Sequence, residues 1–237
     1  MLRAEGEEFF GKRIQIQIVH HVPVPSLLFR IEIDGPATIL RLTSTDGTNR
    51  LTRARVLALL TAMEEQKKDR KKKDGREKEG LEDEPNQWLR PLIIAGNRQF
   101  FSVGADLNEI AALSGPAAYE FSAMGQALMN TIASHPVPVI AAIEGHCMGG
   151  GLDLALACHR RIAAPGAVFG HRGAALGLIT GWGGTQRLPR LIGKSRALEL
   201  FIAAEKISAA RALEIRLVDA IAEDPIAEAL RLLRIGA

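Results

Sequence analysis

Apolar and polar positions change period along this chain, and the changes mark out its elements. The apolar runs Leu27 to Ile33 and Ala37 to Leu42 have strand length and flank Asp34-Gly35, a dipeptide suited to a tight turn, so the pattern predicts a β-hairpin. Val56, Leu57, Leu59, Leu60 and Met63 recur at helical spacing and predict a helix from Thr52 to Met63. Leu92-Ile93-Ile94-Ala95 reads as a short buried strand, and strand and helix patterns alternate through the rest, which predicts an α/β domain. Ile14 to Val19 alternates like a strand until Pro23 and Pro25 break it, so residues 1–25 are assigned to an irregular segment. A periodic stretch from Ile226 to Ile235 predicts one helix within 223–237.

Between residues 64 and 87 the periodicity disappears. Glu64 to Glu84 mixes Lys67, Lys68, Arg70, Lys71, Lys72 and Lys73 with Asp69, Asp74, Glu77 and Glu79, which predicts a solvated insertion in a core spanning 26–222. The interleaved acids and the lack of aromatics in the run weigh against a nucleic-acid surface. The remaining composition, 47% hydrophobic over 237 residues, suits one domain with a full core. Cys147 and Cys158 are too few for a disulfide framework and sit in apolar runs, so reduced, buried thiols and a cytoplasmic protein are expected. With no leader pattern and no unbroken apolar run of spanning length, no membrane partner is expected either.

The chemistry concentrates in two small-residue turns. Phe101-Ser102-Val103-Gly104-Ala105-Asp106-Leu107 follows the predicted strand at 92–95, and Glu144-Gly145-His146-Cys147-Met148-Gly149-Gly150-Gly151-Leu152-Asp153 opens an apolar segment with a carboxylate two residues past its glycine triplet. Glycine lets backbone N–H groups approach a ligand, and two donors from separate turns can converge on one oxygen to stabilise an enolate or oxyanion. Neither turn has the spaced glycines and later acid of a dinucleotide fingerprint, and His20-His21 has no metal-site spacing, so no nicotinamide or metal cofactor is expected.

Together with Pro136 to Gly145, Gly181-Trp182-Gly183-Gly184-Thr185-Gln186-Arg187-Leu188, Ile207 to Glu214 and Leu217-Val218-Asp219, these turns resemble in type and order the crotonase superfamily of enoyl-CoA hydratases and isomerases, over about Ile31 to Ala222. The resemblance implies a spiral of ββα units with a shortened C-terminal helical region, and an acyl-CoA thioester partner with coenzyme A present only as part of the substrate. It also implies a homo-trimer or hexamer. It assigns the oxyanion donors to the N–H groups of Ala105 and Gly150, places Asp153 where the hydratases carry their first catalytic glutamate, and puts Gly104, Ala105, Asp106, Leu107, Gly149 and Gly150 at the substrate. Asn49 matches in type an asparagine of the family's early loop near the CoA, and is equally an ordinary turn residue.

Gly173 stands where the hydratases have their second glutamate, just after Phe169-Gly170-His171-Arg172. His171 as an acid or base, or Arg172 as a carboxylate binder, can reach the pocket from there, the alternatives being a backbone hydrogen bond and a structural ion pair. Thr185 is expected to cap a helix after Gly183-Gly184, Trp182 to pack in the core, and Glu144 and His146 to be bystanders. Enoyl-CoA hydration is the expected activity. Isomerisation, hydrolysis or decarboxylation of a CoA thioester, or non-catalytic acyl-CoA binding, are the alternatives.

Overall fold

The computed structural model describes residues 28–64 and 90–235. The expected strand at 14–19, the His20-His21 pair and the charged insertion beyond Glu64 lie outside the described residues. Strand β1 (Phe29–Asp34) turns through Gly35, at φ 53°, onto antiparallel β2 (Ala37–Leu42), with Asp34 opposite Ala37 and Phe29 opposite Leu42. Residues 53–64 are helical (α1) and bury Val56, Leu59 and Met63, while Leu57 faces outward.

Three strand pairs follow, each splitting its members between two sheets: β3 (Leu92–Ala95) with β4 (Phe100–Ser102), β5 (Val139–Ile143) with β6 (His146–Met148), and β7 (Arg160–Ala163) with β8 (Val168–Gly170). The short strands β9 (Ile207–Ser208) and β10 (Ala220–Ile221) complete sheets of order β1-β2-β3-β5-β7-β10 and β4-β6-β8-β9. The pairs β3/β5, β5/β7, β4/β6 and β6/β8 are all parallel. Every residue of β3 and β5 is buried, which explains why they appear in the sequence as continuous apolar runs: a parallel sheet is covered on both faces.

Helices α2 (Leu107–Ala111) and α3 (Gly115–Ala133) lie between β4 and β5, and α4 (Gly150–Ala157) joins β6 to β7. Helices α5 (Gly184–Ile192), α6 (Lys194–Ala203), α7 (Ala209–Glu214) and α8 (Pro225–Ile235) follow. One face of the larger sheet feeds the main core through Leu40, Leu92, Ile94, Val139 and Ile143. The other face puts Ile39, Ile93, Ile140 and Ile162 against Ala229 and Leu230 of α8, each buried Ile or Leu contributing about 1.5–3 kcal/mol. The start of α8 is set by Asp224, whose Oδ1 accepts from the N–H groups of Ile226 (3.0 Å) and Ala227 (2.9 Å), with Pro225 supplying a fixed φ at the first helical position.

Candidate active site

The ends of β4 and β6 bring the two small-residue turns into contact. Gly104, at φ 93°, lies so close to the second turn that a Cβ there would be 2.7 Å from Met148 O and 2.8 Å from Gly150 N, so only glycine serves. A Cβ on Gly150 would in turn lie 3.2 Å from Ala105 N and 2.6 Å from the Trp182 ring. Among the described residues neither the Ala105 nor the Gly150 N–H is donated to a backbone carbonyl in these turns. Both residues line a cavity of about 550 Å³ whose wall also includes Leu107, Phe121, Met148, Gly149, Leu178 and Trp182. Gly150 opens α4, so its N–H sits at the positive end of that helix.

Buried polar groups brace the first turn. The Ser102 hydroxyl donates to Asn49 O (2.8 Å) and accepts from Gly104 N (3.1 Å), and Leu51 N donates to Gly104 O (2.8 Å). Asn49 is fully buried at φ 54° and its Nδ2 donates to the carbonyls of Phe100 (2.9 Å) and Phe101 (3.3 Å). Its side chain serves the strand and is absent from the cavity wall, in keeping with the turn-residue alternative. Asp106 caps α2, with Oδ1 accepting from Asn108 N (2.8 Å) and Glu109 N (3.4 Å), and does not line the cavity. Gly104 shapes the turn from behind, and it too is absent from the wall.

Asp153 projects into the cavity from the first turn of α4 and is only 2% exposed. Its Oδ1 lies 3.1 Å from His171 Nε2, and its Oδ2 accepts from the Thr180 hydroxyl. His171, 4% exposed at the end of β8, packs its ring 5.2 Å from that of Phe201. The approach of Asp153 and His171 depends on Gly184, where a Cβ would fall 2.1 Å from Asp153 Oδ1 and 3.1 Å from His171 Nε2. Gly184 thus backs the pair, and the residue at the N-cap of α5 is Gly183 at φ 100°, in place of the expected Thr185. Burial of the Arg187 guanidinium lowers its pKa, opposed by the Asp153 carboxylate.

Arg172 is exposed at the cavity wall and, among the described residues, makes no ion pair. No acid can simply be restored at Gly173, because a Cβ there would lie 2.7 Å from Leu178 O. Trp182 is buried as expected, its Nε1 donating to Phe121 O (3.2 Å), and it also covers Gly150 and lines the cavity. Glu144 stays away from the wall, but His146 does not: it lines the cavity and packs 5.5 Å from the Phe100 ring, which corrects its reading as a bystander. The signal for it was strand alternation, since His146 and Met148 of β6 share the cavity face while Cys147 between them is buried. Thr180, 27 residues from its partner Asp153, carries no such signal.

The match to the family model for enoyl-CoA hydratase/isomerase covers residues 79–233. A protein of Bacillus subtilis named "Probable enoyl-CoA hydratase" is 48% identical over 142 residues, which are 60% of this chain and 55% of the relative, so the matched part spans about half of that relative's length. The crystal structure of an enoyl-CoA hydratase from Bacillus anthracis superposes with a TM-score of 0.75 at 31% identity, covering 87% of this chain and 75% of that one. An enoyl-CoA hydratase from Thermoplasma volcanium gives 0.73 at 30% identity, covering 90% and 78%.

Proposed function

The chain belongs to the enoyl-CoA hydratase/isomerase family, and from that premise we propose that it adds water to an α,β-unsaturated acyl-CoA thioester. The observation that carries this reading is the abutment of Ala105 and Gly150 beside Asp153 in one largely apolar cavity. A thioester oxygen held by both N–H groups becomes an electron sink, each donor stabilising the developing enolate charge by about 3 kcal/mol. Asp153 is within reach to orient water and take its proton as oxygen bonds to Cβ.

The glycine at position 173 supports a second reading, isomerisation or another CoA-thioester reaction that manages with one carboxylate. Incubation with crotonyl-CoA in deuterated water, followed by mass spectrometry, decides between them: hydration adds one water across the Cα–Cβ double bond and leaves the thioester intact. An unchanged product that carries deuterium indicates enolate chemistry alone, and no change at all, with tight binding, indicates a non-catalytic acyl-CoA binder.

Coenzyme A enters this scheme only as part of the substrate. We place the enzyme in fatty acid metabolism in the cytoplasm, where both free cysteines stay reduced. Among the described residues no helix is long and apolar enough to cross a membrane. A trimer or hexamer is supported by the exposed apolar side chains of Ile179, Leu198 and Ile202, and light scattering on the purified protein tests it.

A further inference from the structure

We propose that His171 and Asp153 form a proton-sharing pair fixed by Thr180, with His171 supplying the second acid–base group of the reaction. The inference rests on the hydratase reading for its chemistry and on geometry for the pair itself. Asp153 and His171 both line the cavity, and their Oδ1 and Nε2 atoms are both buried, with no well-aligned hydrogen-bond partner although they lie 3.1 Å apart. Orphaned buried polar atoms are rare, and two that adjoin each other at a cavity wall are groups held ready for a ligand or a water. The rest of the arrangement is constrained. Thr180 occupies Oδ2, the Phe201 ring packs beside the imidazole, and Gly184 leaves the space the pair needs. Arg172, the other candidate, is exposed, and a guanidinium does not give up its proton.

The cycle balances with these groups alone. Water bonds to Cβ through its oxygen and loses a proton to the Asp153 carboxylate, while the π electrons move onto the thioester oxygen held by the N–H groups of Ala105 and Gly150. The enolate then re-forms the carbonyl as the His171 imidazolium delivers a proton from Nε2 to Cα. Transfer of the proton from Asp153 to His171 across their contact restores both groups, and the net change is addition of one water.

The test combines kinetics on the purified protein with ¹⁵N NMR of its histidines, the His171 resonances being identified by their loss in His171→Gln. His171→Gln is expected to lower kcat on crotonyl-CoA by about 10²–10³-fold with KM changed by no more than about threefold, and exogenous imidazole to restore part of the activity of His171→Ala. Thr180→Val, which keeps the shape and loses the hydroxyl, is expected to lower kcat roughly tenfold. In Asp153→Asn the His171 resonances move. The pair is overturned if those resonances stay in place in Asp153→Asn, or if His171→Gln turns over at the native rate. A native protein that adds no water to crotonyl-CoA, but whose His171 resonances respond to Asp153→Asn, sinks the hydratase reading and leaves the pair standing. Should His171→Gln fail to fold, His171→Ala identifies the His171 resonances and supplies the kinetic comparison, with native turnover again overturning the pair.

Discussion

Two parts of the same cavity are assembled by different means. In one, the groups we propose to work are the backbone N–H groups of Ala105 and Gly150, set by the ends of β4 and β6 and by contacts that only glycine permits. In the other they are the side chains of Asp153, His171 and Thr180, brought by α4, the end of β8 and the loop before α5. Short of proline, no substitution deletes a backbone donor, so its position is set mainly by packing and most lesions in it act through the fold. A side chain can be exchanged without disturbing the backbone, so this second part is where chemistry can change while the first stays fixed. Gly173 marks the limit of that freedom, since a Cβ there would lie 2.7 Å from Leu178 O.

The comparison predicts that lesions in the side-chain part cost activity alone, and lesions in the backbone part cost activity and stability together. Asp153→Asn should show the largest effect, a fall of about 10³-fold in kcat with thermal stability close to native, measured by steady-state hydration and calorimetry. Large destabilisation would place Asp153 among the structural groups. Gly150→Ala should come next: the added methyl meets Trp182 and crowds Ala105 N, so kcat should fall about 10²-fold, and Tm should drop with an overpacking cost of about 1–3 kcal/mol.

Asn49→Ala sharpens the contrast further. It leaves two strand carbonyls without their donor and puts alanine at a left-handed φ, so a loss of about 2 kcal/mol is expected in denaturant titration. KM should hold, and a raised KM at native stability would return Asn49 to the ligand. Cys147, against Gly151 of the second turn, and Cys158, at the far end of α4, are both buried, and burial raises both thiols, that of Cys158 to about 12. Native protein should therefore resist thiol reagents at neutral pH, and rapid labelling would mean that this part opens readily.

The smallest effect belongs to Asp46, whose carboxylate accepts from Thr48 N (3.0 Å) and from the hydroxyls of Thr48 and Ser44 in the loop carrying Asn49. These bonds, the Thr48 backbone bond foremost, lower its pKa to about 2. A depressed carboxylate contributes stability above its ordinary pKa and loses it as pH falls toward about 2. The Tm difference between native protein and Asp46→Asn should therefore shrink between pH 5 and pH 2, on the order of the linkage window for one carboxylate. A constant difference would show that the loop does not depend on this charge.

What the chain's sequence determined by itself was local and periodic. The hairpin turn at Asp34-Gly35, the continuous apolar runs of β3 and β5 and the start of α8 one residue before its expected position follow from side-chain period and backbone freedom, which neighbouring residues set. The glycine turns belong with them, because a positive φ at Gly104 or Gly149 leaves its mark in residue type. Tertiary structure alone decided which polar side chains face the cavity. Asn49 and Asp106 are drawn away because buried carbonyls and helix N–H groups need partners, and His146 is turned in by its place on β6. Thr180 meets Asp153, and Gly184 makes room for His171, only because separate segments converge after the sheets have packed. Contacts between residues far apart in sequence leave no periodic trace, whereas a turn or a strand must be written where it occurs.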